Sequence, residues 1–143
     1  MRFKILLLLL MLQVAVFAQA DWNKVTVVGN NTANPSLTRV QVTTIFKGGK
    51  ARWKNDEDVI VVLPSSKHPD CEIMAATVFA KDMKFVKKHW LNLVFQGRAN
   101  PPVYLDSNEE ILSYVKKHAG AIGVLVNSDI PSDLKIPVRQ PTE

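Results

Sequence analysis

With 143 residues, 47% of them hydrophobic and 22% charged, the chain holds material for one ordinary core and falls short of two. The formal charge of +5 is scattered, and the basic residues are not interleaved with aromatics at regular spacing, which excludes a dedicated nucleic-acid reader. The single cysteine, Cys71, excludes a scaffold held by internal disulfides and reads as a buried small hydrophobe. The elements follow in chain order. Arg2 and Lys4 precede an apolar run from Ile5 to Leu12, extended through Val14 to Phe17 and followed by Ala18-Gln19-Ala20. Small residues at those two positions, after an apolar stretch shorter than the roughly 20 residues a bilayer span needs, predict an export signal over residues 1–20. Cleavage is expected before Asp21, leaving one domain over 21–143 in the periplasm and a charge of +3 once Arg2 and Lys4 are gone.

The β-branched stretch Lys24 to Val28, closed by Gly29-Asn30-Asn31, predicts a strand. Ser36 is the expected N-cap of a helix carrying Leu37, Val40, Thr44 and Ile45, with Gly48-Gly49 as its stop. Val59 to Leu63 is apolar without alternation, the pattern of a strand covered on both faces. Pro64-Ser65-Ser66 breaks it, and Pro69 suits the first turn of a helix carrying Ile73, Met74, Val78 and Phe79. A further helix restarts at Asp82, with Val86, Trp90 and Val94 at four-residue spacing. Past the turn-rich Gly97 to Pro102 comes the short apolar group Val103-Tyr104-Leu105. Ser107-Asn108-Glu109-Glu110 predicts a capping box in which Ser107 and Glu110 exchange bonds, with Ile111, Leu112 and Val115 on the helix behind it. Ala121 to Val126 reads as another buried strand, and Leu134 to Val138 as an edge strand in a proline-rich tail. This alternation points to an α/β layer fold.

Chemical signatures are sparse. The chain has no nucleophile elbow, no P-loop, no dinucleotide glycine pattern and no paired metal-ligand spacing, so no enzyme, metal or cofactor is expected. His68, His89 and His118 are dispersed and read as solvated or cap-associated. Asn30-Asn31-Thr32 matches a glycosylation acceptor, read as accidental. The segment Leu63 to Asp70 joins a buried strand to a helix start, the place where α/β sheets bind anions. Ser65 and Ser66 carry hydroxyl donors there and Lys67 a positive charge; the alternative is that the serines only cap the helix.

Three stretches carry a family resemblance. Asn34-Pro35-Ser36-Leu37-Thr38 leading to Ile45-Phe46-Lys47-Gly48-Gly49-Lys50-Ala51-Arg52-Trp53 resembles the helix, glycine-lysine turn and tryptophan of phosphate-type periplasmic substrate-binding proteins of ABC importers. Trp90 with Phe95-Gln96-Gly97-Arg98-Ala99-Asn100-Pro101-Pro102 is similar to a stretch of their short relatives, and Ala119-Gly120-Ala121-Ile122-Gly123-Val124 to the strand after their last helix. The resemblance implies a single three-layer-like α/β domain with a small mixed or parallel sheet flanked by helices, equivalent to one lobe of a type II periplasmic binding protein. It implies weak binding of phosphate or a similar oxyanion by Ser65, Ser66 and Lys67. Arg98 stands as a weaker contact or as a loop residue paired with an acid. The implied partners are an ABC permease or another envelope protein, and a second copy of the chain. A one-lobe envelope protein that works by protein–protein contact is the rival expectation.

Overall fold

The computed structural model describes residues 18–128, 130 and 132–140. The export-signal reading of residues 1–20 lies outside these apart from Ala18 to Ala20. A 3₁₀ turn (Trp22–Lys24) leads into β1 (Val25–Gly29), then β2 (Leu37–Thr38) and α1 (Arg39–Phe46). Next come β3 (Ile60–Pro64) and α2 (Cys71–Met74), which runs directly into a π-helical segment, Ala75–Phe79. The chain continues through α3 (Met83–Phe95), β4 (Val103–Leu105), α4 (Asn108–Lys117), β5 (Ala121–Val126), β6 (Lys135–Ile136) and β7 (Val138–Arg139).

The main sheet has the order β4-β3-β5-β1-β6 and is mixed. Strand β3 pairs in parallel with β4 (Val62 opposite Val103) and with β5 (Ile60 opposite Ala121). Strand β1 runs antiparallel to β5 (Val25 opposite Val126) and to β6. The apolar runs of β3 and β5 do not alternate because both sheet faces are covered. On one face Val27, Val61, Leu63, Ile122, Val124 and Val126 pack with Phe46, Met74, Phe79, Val86 and Trp90 of α1, α2, the π segment and α3. On the other, Val28, Val62, Ala121 and Leu125 meet Ile111 and Val115 of α4. The result is three layers, helices on both sides of one sheet. Gly123 lets α4 come this close, since a Cβ there would stand 2.9 Å from Ile111 Cγ2 and 3.2 Å from Val115 Cγ2. Gly120 turns α4 into β5 at φ +85, where a Cβ would strike the Asp58 carbonyl oxygen. The buried Trp53 indole donates to the Gly120 carbonyl at 2.8 Å and ties the loop before β3 to that turn.

Four local expectations are corrected. Helix α1 starts at Arg39, capped by a reciprocal Thr38–Gln41 box, and Ser36 is not its cap. Leu37 and Thr38 are taken instead by parallel pairing with Val138 and Arg139, a contact about a hundred residues distant that local spacing does not reveal. The expected edge strand Leu134 to Val138 is split at Pro137, which lacks the ladder N–H; its halves join different sheets. The helix over Ile73 to Phe79 is π-helical after Met74 and ends at Ala80, φ +53. At α4, Ser107 does accept from the Glu110 amide, but the Glu110 carboxylate accepts from Asp106 N rather than from its cap residue.

Candidate functional site

Parallel β4, β3 and β5 end on the same edge of the sheet, and each is followed by a polar turn: Asp106 and Ser107 after β4, Ser65 to Asp70 after β3, Asn127 after β5. This edge, at the carboxyl ends of parallel strands, is where open α/β sheets place ligands. Its geometry begins with Ser65. The Ser65 amide extends the sheet by donating to Leu105 O at 2.8 Å. Its hydroxyl donates to the Asp106 carboxylate in a short contact and accepts from Lys67 N at 3.1 Å, a serine turn that shapes the loop.

His68 is 3% exposed and is the centre of a second group of bonds. Its Nδ1 accepts from the Asp70 amide at 3.0 Å, so the ring proton sits on Nε2, which donates to Asn108 Oδ1 at 2.9 Å. Asn108 in turn donates from Nδ2 to Val126 O at 2.7 Å and accepts from Val126 N at 3.3 Å. One side-chain amide thus links the β3–α2 turn, the first residue of α4 and the last residue of β5. Just past His68, burial pushes the Cys71 thiol up from its ordinary range, and the Glu72 and Asp70 charges add to the effect. Cys71 is therefore a packed, protonated thiol, as its sequence context suggests.

The predicted residues divide between two ends of the sheet. Ser65 is half-buried, while Ser66 and Lys67 are exposed beside it. Arg98 is exposed in the loop before β4 and shares a surface cleft with Val59 and Ile60, at the opposite end of β3. The five residues of β3 separate it from Ser65 by about 16 Å at the usual strand rise. Among the described residues, Arg98 makes no ion pair; the pairs present are those of Arg52 with Asp56 and Asp58. The rim turns also carry the carboxylates of Asp70, Asp106, Glu109 and Glu110, with Lys67 on the β3–α2 turn and the exposed Lys24 beside Asn127, whose amide donates to its carbonyl. Sequence reading missed Asp106 and Asn108, for which the only local sign was a cap pattern.

The remaining histidines are also bound up in structure. His89 Nε2 lies 2.8 Å from Lys47 O with its ring stacked on Phe85, and His118 Nδ1 lies 2.8 Å from Tyr114 O with its ring stacked on Tyr114. Among the described residues no three His, Cys, Asp or Glu side chains stand close enough to hold a metal, and no helix is long and apolar enough to cross a membrane. The Asn30 amide donates to Val115 O at 2.9 Å and to Lys116 O at 3.2 Å, closing the end of α4, so the glycosylation match is a helix cap in this fold.

No family model and no curated protein matches the chain. Solved structures do. A protein from Clostridium perfringens described as a phosphate ABC transporter substrate-binding protein, with bound phosphate, has a TM-score of 0.60 at 18% identity, over 82% of this chain and 44% of its own. An ABC-type phosphate transport receptor from Vibrio cholerae has a TM-score of 0.50 at 17% identity, over 79% of this chain and 45% of its own. This chain spans less than half the length of either. The chain has the α/β fold of one lobe of a periplasmic binding protein.

Proposed function

We propose that residues 21–143, exported and freed of the preceding signal, form a one-lobe periplasmic domain of the phosphate-importer type that takes a small oxyanion at the β3–α2 turn. The observation that carries this is the position of Ser65, Ser66 and Lys67: an exposed turn with hydroxyl and ammonium donors at the carboxyl edge of three parallel strands, in the fold of phosphate-binding proteins. Ser66 and Lys67 offer free donors, and Ser65 joins them by releasing Asp106. An ionised Asp106 only accepts hydrogen bonds, so the site suits an oxyanion that brings its own proton, such as hydrogen phosphate. Arg98 stands outside it.

One lobe supplies half a cleft. Two or three charge-assisted bonds of about 1.5–3 kcal/mol each, less ordering costs and the repulsion of the four rim carboxylates, leave binding near the millimolar level, about 4 kcal/mol. Transport therefore requires a closing surface, supplied by an ABC permease, another envelope protein or a second copy. An amide NMR titration of Asp21 to Glu143 with phosphate tests the reading, with sulfate and chloride at equal ionic strength as controls. Saturable shifts confined to Ser65 through Cys71 and Asp106 through Asn108, larger for phosphate than for sulfate, are expected. Their absence up to tens of millimolar removes the solute-binding role.

A second reading, an envelope protein that binds another protein and transports nothing, is favoured by one observation: the rim spends its polar side chains on one another, Ser65 on Asp106 and His68 on Asn108. The same titration separates the two, because a rim that serves only as a rigid contact surface shows no phosphate-specific shift.

A further inference from the structure

The charge of this chain is unevenly placed. Of its 13 acidic residues none falls between Met83 and Leu105, a stretch that carries Lys84, Lys87, Lys88 and Arg98. Most of that stretch is α3, which buries Met83, Val86 and Trp90 against the sheet. Successive residues turn 100° about a helix axis, so Lys84, Lys88, Leu91 and Phe95, spaced by four, three and four, form a single outward stripe with Lys87 beside it. All five are exposed, and the two apolar ones project strongly, Leu91 at 57% and Phe95 at 82%. Lys81 precedes the helix with its ammonium 5.5 Å from the centre of the Phe85 ring, which is itself 38% exposed. The nearest carboxylate in sequence, Asp82, accepts from Phe85 N as the helix cap.

We propose that this outer face of α3 docks on an anionic lipid surface, with Leu91 and Phe95 entering the headgroup layer and Lys84, Lys87 and Lys88 pairing with lipid phosphates. Charge complementarity selects the occupant. Three lysines on one helix face, with Lys81 just before the helix and large apolar side chains along the same line, match a negatively charged interface, and the acids at the helix start, Asp82 and Glu72, are engaged by the Phe85 and Met83 amides. A protruding phenylalanine with lysines along the same line suits a soft, laterally mobile surface that can accommodate both. The inference is independent of the oxyanion reading, since none of these residues takes part in the bonds of the strand-end rim.

Vesicle co-sedimentation tests it, using the chain from Asp21 to Glu143 so that the apolar segment Ile5 to Phe17 does not itself partition. That chain retains the whole core, which runs from Val25 to Ile136. Vesicles of phosphatidylcholine with 30% phosphatidylglycerol should pellet the protein at low salt, while pure phosphatidylcholine vesicles should not. At about fivefold per cation, the combined Lys84→Gln, Lys87→Gln, Lys88→Gln variant loses about a hundredfold in partitioning. The Leu91→Ser, Phe95→Ser pair loses about tenfold, with circular dichroism unchanged for both. Any of three results overturns the proposal: no binding to the anionic vesicles, equal binding by the lysine variant, or a chain that leaves the vesicles in solution and instead forms a dimer abolished by the serine pair.

Discussion

At the strand-end rim Ser65, His68, Asp106 and Asn108 spend their polar atoms on one another and on the ends of β4 and β5, whereas on the outer face of α3 Lys84, Lys87 and Lys88 point to solvent beside bare Leu91 and Phe95. Both regions read as polar surface in a linear scan. They differ in where the free energy resides. The bonds of Asn108 to His68 and Val126 are partly buried and cross between elements, so breaking one leaves a desolvated group behind; α3's outer face holds nothing together, and its groups remain available to a partner.

The strongest way to break the contrast is Asn108→Ala. It orphans His68 Nε2 and both backbone groups of Val126, and an expected loss of about 3 kcal/mol follows from 1–3 kcal/mol per stranded buried group with partial rehydration, measured as a shift of the urea midpoint at unchanged slope. Ser107→Ala, which removes only the cap acceptor for Glu110 N, should cost about 1 kcal/mol by the same measurement.

Tyr104 lies between the two regions, on β4 under α3, and sharpens the comparison through pH. Burial alone pushes its hydroxyl up to about 12, and the buried oxygen has no hydrogen-bond partner among the described residues. Its folded value exceeds the ordinary value of 10, so the folded state holds the proton more tightly and this contribution to stability is complete below pH 10. It is lost as pH rises from about 10 to 12. Thermal melts over that range should show a fall that Tyr104→Phe removes, and absorbance at the phenolate band should show one tyrosine titrating late.

The smallest effects belong to α3. Leu91→Ser and Phe95→Ser together should change stability by no more than about 0.5 kcal/mol, as expected of exposed positions away from cores and caps. A loss above about 2 kcal/mol would mean that these side chains support the fold, and the contrast between the regions would fail. Asp106→Asn at the rim exchanges an acceptor-only carboxylate for an amide that also donates, so the preference for phosphate over sulfate that rests on the proton of hydrogen phosphate should narrow. The NMR titration reads that change directly.

Local physics was enough for most elements. Apolar runs without alternation marked β3 and β5, four-residue spacing marked α3, and serine followed by glutamate marked the start of α4. The turn Ser65 to Lys67 was legible as a strand-to-helix junction for the same reason. Its neighbours were not. Asp106 and Asn108 lie 41 and 40 residues from Ser65 and His68, and only the parallel pairing of β3 with β4 brings them together. Arg98 failed to join the turn for the converse reason: it precedes β4, so the same pairing carries it to the other end of the strands.

The division follows the range of the forces. The sequence by itself determined the alternating α/β pattern, the inert buried Cys71, the acid-free stretch from Met83 to Leu105 and the polarity of the β3–α2 turn, because periodicity, capping and charge act within a few residues. Only the tertiary structure decided that β1 enters antiparallel between β5 and β6, and that Thr38 rather than Ser36 caps α1. It also decided that Asn108 holds three elements at once and that the lysines of α3 share one line with Leu91 and Phe95 at the surface. Those outcomes depend on which backbone edges pair across the chain and which helix face is buried, and no short window of residues contains that choice.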